Sequence, residues 1–368
     1  MTDWTPILVL PNLDIRGVIG CDVAALVGVT DSRVESIRKR HPRFHDFLAR
    51  FTGQFGDQIW PSVILIRADA RRSYYTAEAL QGFRDLCALS VAPYARTDRL
   101  RHASANSLVF SNVFAFYPWM VDKNFENMIC VNPAMIAVHL VEQFHGQSFA
   151  EQGHTSLMER SLDMPLLKAL LDRWVVCFGG TQTNWKDVAL FRSLNMASQA
   201  AQIPAPTATS IYDVGRSIAL WVSAHEILAH PGQGGKADFA AVTDLLTSAP
   251  WSDPLFTDPA YPLTFKGTTK KVGFISWLYH HVYQLRNHFL HGNAIDLSKM
   301  TIGSGEHVIV DIAACLYRMA IAASLDLTFK DTNPDETDTS YMAYLVGEKR
   351  RFNDYQRKFE QALLMAKR

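Results

Sequence analysis

Between residues 271 and 291 the chain sets histidine, tyrosine, amide and arginine side chains at helical spacing. At 100° per residue, His280, Tyr283, Gln284, Asn287 and His291 follow steps of three and four along one face, and Arg286 borders them. A plainly solvated helix face favours Glu and Lys, which this stripe lacks. Histidine exchanges protons near neutral pH, and the arginine fork binds oxyanions while keeping its charge. Proton transfer beside a bound oxyanion is therefore chemistry that this face can offer. A solvated face with His291 placed in the last turn, where the helix dipole favours a cation, is the competing reading.

The helix needs a core to lie on. Phe274, Ile275, Leu278, Val282, Leu285 and Phe289 fall within roughly a third of its circumference and form that apolar stripe. Gly292 and Asn293 end it as a left-handed C-cap. A second helix, expected over 211–230, carries Val214, Ile218, Trp221, Val222 and Leu228 on one side. Tyr212, Arg216, Ala219, Ser223, Glu226 and His230 lie on the other. Glu226 is thus a candidate orienting carboxylate or a solvated one, whereas His225 falls on the apolar stripe and is expected to be buried and hydrogen-bonded.

Other chemistries fit less well. His225 and His230 stand five apart, and zinc held by one helix needs two histidines four apart. No metal or cofactor is expected. Gly232, Gly234 and Gly235 follow a helix rather than a strand and precede no lysine-serine pair, so they read as a loop and not as a phosphate cradle. The basic run Arg38-Lys39-Arg40-His41-Pro42-Arg43 and the group Arg96, Arg99, Arg101 and His102, ahead of an expected strand, read as solvated loops.

Composition sets the frame. The chain has 368 residues, 48% hydrophobic and 20% charged, which is globular and long enough for two domains. Lys plus Arg equals Asp plus Glu at 36 each, so any contact with nucleic acid must be local. The five cysteines are widely spaced among apolar neighbours, as buried thiols of a reducing compartment would be. Residues 1–6 do not read as a signal peptide and no apolar run reaches the length of a membrane span, so a cytoplasmic location with no membrane partner is expected.

The expected fold class is α+β: an N-terminal mixed α/β domain followed by an all-α bundle. Short β-branched runs at Ile7–Leu10, Ser62–Ile66 and Leu108–Phe116 predict strands over 1–160, with a helix opening at Thr76 whose apolar stripe packs on them. A helical connector follows over 161–204, with Asp163 and Asn184 placed as caps. The Pro/Thr/Ser segment 203–210 marks the boundary of a helical domain at 205–330, and a charged helix closes the chain within 331–368. Within the helical domain, helices are expected near 211–230, 238–248, 271–291 and 305–324, with a loop from Ala249 to Lys270.

Arg286-Asn287-His288-Phe289-Leu290-His291 followed by Gly292, at the end of a long amphipathic helix, resembles the signature of the HEPN superfamily. The segment 278–293 and the upstream Ala219–Leu228, with its glutamate after an apolar run, are similar to the Apea-like branch. The resemblance covers about 130 residues of the C-terminal part, and residues 1–200 resemble no family. It implies a HEPN-like bundle that cleaves RNA as a metal-independent endoribonuclease, by 2′-hydroxyl attack, in a prokaryotic phage-defence or toxin-like setting. In that reading His291 moves the proton, Arg286 holds the phosphate, and Asn287 and Glu226 orient the site. Tyr283, His280, Gln284 and Ser223 are then the candidates for substrate contact. Arg286 and His291 stand about 140° apart around the axis, so one helix does not aim both at one point. The resemblance implies a homodimer whose paired helices form the cleft. The alternative is a catalytically silent HEPN-like module for dimerisation or for binding RNA or a nucleotide.

Overall fold

The computed structural model describes residues 3–11, 13–49, 51, 56–101, 119–121, 128–130, 157–158, 161–180, 184–202, 211–232, 234–265, 267–303, 307–327 and 355–367. The architecture is α+β, a small antiparallel sheet beside a helical body. The apolar runs near the start form β1 (Trp4–Leu10), β2 (Leu13–Asp14), β3 (Val18–Gly20), β4 (Ala24–Val27) and β5 (Ser62–Arg67). The four-stranded sheet has the order β1-β5-β4-β3, with Val9 opposite Val63 and Leu8 opposite Ile64. Side chains alternate across it. Val9, Ala25, Val27, Val63 and Leu65 meet Val34, Ile37, Phe44 and Phe47 of α1 (Ser32–Arg40) and α2 (Pro42–Leu48). Leu8, Leu10, Leu26, Ile64 and Ile66 join the helical body on the other face. Cover on both faces explains why these strands read as continuous apolar runs rather than as alternating ones.

The basic run at 38–43 is not a loop. It closes α1 and opens α2, where Arg38 donates to His45 and Arg40 pairs with Asp3 at 2.8 Å.

The helix expected at Thr76 extends further than its stripe implied, as the 25-residue α3 (Ala77–Arg101). It is buried almost all round and packs chiefly on other helices rather than on the strands. Arg96 and Arg99, read as solvated, lie in its last turns and both pair with Asp311, which is buried. This partner is more than two hundred residues away, so local sequence could not show it.

Short pairings follow: β6 (Trp119–Val121) with β7 (Met128–Cys130), and β8 (Leu157–Met158) with β2. The strand expected at 108–116, His102, the linker at 203–210 and residues 331–354 of the closing segment lie outside the described residues.

Helices α4 (Met164–Gly179) and α5 (Trp185–Ala201) begin where expected, at Asp163 and Asn184, whose side chains accept from the Leu166 and Lys186 N–H groups. They are followed by α6 (Ile211–Leu228), α7 (Phe239–Thr247), α8 (Phe274–Leu290), α9 (Ile309–Ser324) and a helix over 355–365, here α10. One hydrophobic cluster runs from the sheet through α3, α4, α5, α6, α8 and α9 to Phe359, Ala362 and Leu363 of α10. Thus α4 and α5, on the N-terminal side of position 205, share the bundle core. Arg318 of α9, fully buried, donates to Asp163 at 2.9 Å and to Gln356 at 2.8 Å, tying the start of α4 to α9 and α10.

The C-terminal part is helical but not all-α. The expected loop 249–270 holds a hairpin, β9 (Tyr261–Phe265) and β10 (Thr268–Val272), turning at Gly267 with φ 80°. A shorter pairing, β11 (Thr301–Ile302) with β12 (His307–Val308), precedes α9. Pro262 at the strand edge and the exposed threonines and lysines of β10 hid the first hairpin, since neither carries an apolar alternation. Among the described residues no helix is long and apolar enough to cross a membrane.

Candidate functional site on helices α6 and α8

Gly273 starts α8 because the backbone of the preceding loop crowds it. A Cβ there would stand 2.6 Å from the Thr257 carbonyl oxygen and 2.7 Å from that of Phe256. The apolar stripe then behaves as its spacing predicts: Phe274, Ile275, Leu278, Val282 and Leu285 are buried. Phe289 is half-buried and lies against Gly215 of α6, where a Cβ would meet its ring at 2.3 Å. That glycine lets the two helices approach. The C-terminus is a left-handed cap at Gly292, φ 67°, with the His291 N–H donating to the Asn287 carbonyl and the Asn293 N–H to that of His288.

This packing brings Arg286 to α6. One guanidinium nitrogen stands 3.9 Å from Glu226 Oε2, another donates to Asn287 Oδ1 at 3.2 Å, and the group lies 5.6 Å from the centre of the Tyr283 ring. Both Arg286 and Glu226 keep 23% of their side-chain surface exposed, so the pair is reachable from solvent. The Arg286 Nε–H is buried and has no hydrogen-bond partner among the described residues. Burial raises the Glu226 carboxyl above the usual carboxylate range, with Arg286 opposing the shift and Asp238 adding to it. The separation of 3.9 Å is the outer limit of an ion pair, so Arg286 retains donors for a second anion.

No protein-family model, curated protein or solved structure matches this chain. The site therefore rests on its own geometry.

Of the residues singled out by sequence, Arg286, Asn287, Glu226 and Tyr283 come together. His280 joins their edge through Phe239, whose ring is 5.7 Å from it and 5.4 Å from Tyr283. Burial lowers the His280 imidazole below the ordinary histidine range. Gln284 and Ser223 are half-buried on α8 and α6. His291 is exposed at the C-cap, about 140° around the axis from Arg286, and the structure does not bring it to the Arg286–Glu226 pair.

Sequence reasoning missed two contributors, Asp238 and Phe239. Asp238 caps α7 by accepting from the Ala241 N–H, and Phe239 stacks on Tyr279 at 5.7 Å. The capping aspartate ahead of a short amphipathic run was visible, but nothing local showed that α7 folds over α8.

Behind the pair lies a dry cluster. His225 is buried, donates from Nδ1–H to the Trp221 carbonyl at 2.8 Å, and lies 5.2 Å from the Tyr279 ring and 5.3 Å from the Tyr317 ring. Its Nε2 has no partner among the described residues, and burial pushes the imidazole down to about 4. His225 is therefore a neutral core residue, as its place on the apolar stripe predicts.

Proposed function

We propose that the exposed face of α8 and α6 is the catalytic site of a metal-independent endoribonuclease acting by 2′-hydroxyl attack. The observation that carries this reading is Arg286, a half-buried cation braced by Asn287 and Tyr283 and only loosely opposed by Glu226. A guanidinium held in this way suits a phosphodiester whose negative charge grows during reaction. His291 supplies the proton transfer. It takes the proton of the 2′-hydroxyl while the 2′-oxygen bonds to phosphorus; the bond from phosphorus to the 5′-oxygen breaks, and that oxygen receives the proton from the imidazolium so formed. The products are a 2′,3′-cyclic phosphate and a 5′-hydroxyl.

Glu226 orients Arg286 and sets how much of its charge faces the substrate. Tyr283, His280, Gln284 and Ser223 border the strand of RNA. Since His291 stands apart from Arg286 within one chain, the working site pairs two copies of α8 in a homodimer, each lending its histidine to the other. The resemblance to HEPN proteins adds the setting: a cytoplasmic enzyme of phage defence or of a toxin-like response.

One observation favours a second reading. Glu226 already faces Arg286 and could neutralise it, as in a silent module that only dimerises or binds RNA or a nucleotide. Purified protein incubated with total RNA, with and without EDTA, separates the two. Arg286→Ala and His291→Ala are expected each to lower cleavage by about 10²–10⁴-fold with fold and dimer intact, and Glu226→Gln to have an intermediate effect. Cleavage unchanged in both alanine variants removes the assignment, and cleavage abolished by EDTA removes the chemistry. A monomer in sedimentation at micromolar concentration removes the composite site.

A further inference from the structure

A concave site lies apart from Arg286. A cavity of about 430 Å³ opens between α3, α4 and α5 and is also lined by Ile227 of α6. Its size falls within the roughly 300–1,000 Å³ usual for small-molecule sites, and its walls are mostly apolar. Phe178, Val188, Phe191, Met196 and Ile227 supply them. Gly82 keeps the α3 wall flat: a Cβ there would stand 3.0 Å from the Phe191 ring and 3.2 Å from that of Phe178. The polar groups come from single helix faces. Glu78, Gln81 and Asp85 repeat on α3 at steps of three and four, and Arg192 and Asn195 lie three apart on α5.

These polar groups divide into satisfied and unsatisfied ones. Asp85 is buried at the inner end, and its carboxylate accepts from Arg84 at 2.7 and 2.9 Å and from Asn195 at 3.0 Å. The inner charge is therefore already balanced. Glu78 and Arg192 are exposed at the mouth, and neither is ion-paired with a described residue. Their spacing follows from the helices. Asn195 meets Asp85 and Phe191 meets the level of Gly82, so α3 and α5 run the same way. Arg192 thus sits about 7 Å further along the shared helix direction than Glu78.

We propose that this cavity binds a free α-amino acid with a large apolar side chain. The ammonium faces the Glu78 carboxylate, the carboxylate faces the Arg192 guanidinium, and the side chain enters among Phe178, Phe191 and Ile227. Two unpaired charges of opposite sign, on neighbouring helices over one apolar wall, complement that zwitterion better than they complement a simple anion or cation. Asn195 and Gln81 supply the remaining hydrogen-bonding groups.

The test is calorimetric titration of the full chain with L-phenylalanine, L-leucine and L-methionine, beside phenethylamine and hydrocinnamate, which each lack one charge. Saturable binding of the amino acids is expected, weakened roughly ten- to a hundredfold for either single-charge analogue. Arg192→Gln is expected to lower affinity for phenylalanine to that for phenethylamine while leaving phenethylamine unchanged. Glu78→Gln should do the same relative to hydrocinnamate. Both positions are exposed, so folding should be unaffected, and the analogue titrations need no variant at all. The proposal fails if no amino acid binds saturably at several millimolar, if an analogue binds as well as phenylalanine, or if both variants bind as the parent does. No RNA enters the experiment, so its result is independent of the site on α8.

Discussion

The buried His225 makes stability depend on pH in a way that can be isolated. Its imidazole ordinarily titrates near 6.5 and is pushed down to about 4 in the fold by burial. In the unfolded chain it recovers the ordinary value, so between these limits the unfolded state binds the extra proton. The sign follows: the stability contribution is complete above 6.5 and is lost as pH falls toward 4. A gap of about two and a half pH units at about 1.4 kcal/mol each amounts to roughly 3 kcal/mol. Charging the ring inside the fold would set a cation beside Tyr279, Tyr317 and Trp221, none of which is a counterion. His225→Leu keeps the apolar contacts and has no proton to gain. Urea unfolding of both proteins at several values from pH 7.5 to 4.5 gives the difference in free energy. Other groups titrate over this range, among them His280 and His281, whose imidazoles are also lowered, so the comparison between the two proteins carries the prediction. The parent should lose about 2–3 kcal/mol more than His225→Leu on acidification. Equal losses would show that His225 is solvated or paired in solution, and the account of the dry cluster would fall.

Two further perturbations test the packing that holds the site. Asp163→Ala removes both the cap of α4 and the carboxylate that balances buried Arg318, and a loss of about 3–5 kcal/mol is expected in urea unfolding; a loss below about 1 kcal/mol would contradict the pairing. Gly215→Ala gains about 1 kcal/mol of helix propensity but drives a methyl into the Phe289 ring, so the net effect should be a destabilisation of about 1–2 kcal/mol. In a Phe289→Ala background the same change should stabilise, and an unchanged sign would show that α6 and α8 do not approach at that glycine.

What was legible in the sequence was what depends on neighbours along the chain. Asp163 and Asn184 announced their helices because an N-cap works within three residues, and Gly292 announced a C-terminus because the left-handed φ that closes a helix favours glycine. The spacing of Phe274, Ile275, Leu278, Val282 and Leu285 settled which side of α8 is buried, and hence which side could hold Arg286. The separation of Arg286 from His291 also followed from helical geometry alone. What depends on partners far along the chain stayed hidden. Arg96 and Arg99 looked like a solvated basic group because Asp311 is remote, and Phe239 came to Tyr283 only through the fold of α7 over α8. The cavity beside Asp85 needed three helices at once. The hairpin at 261–272 gave no apolar alternation to read, because its second strand is solvated on both faces.

Three successive positions of α6 serve three different surroundings: His225 the dry cluster, Glu226 the Arg286 pair, and Ile227 the wall of the cavity. Neighbours on a helix project 100° apart, and the helix turns as one rigid body. A rotation that improves any one of these contacts therefore displaces the other two. Natural variation at this triplet should be contingent: a replacement at 226 is tolerated only alongside particular choices at 225 and 227. In a library randomised over the three codons, survivors would form correlated sets rather than independent lists. The evolutionary cost of changing the chemistry at Arg286 is in that sense set by residues that never touch it.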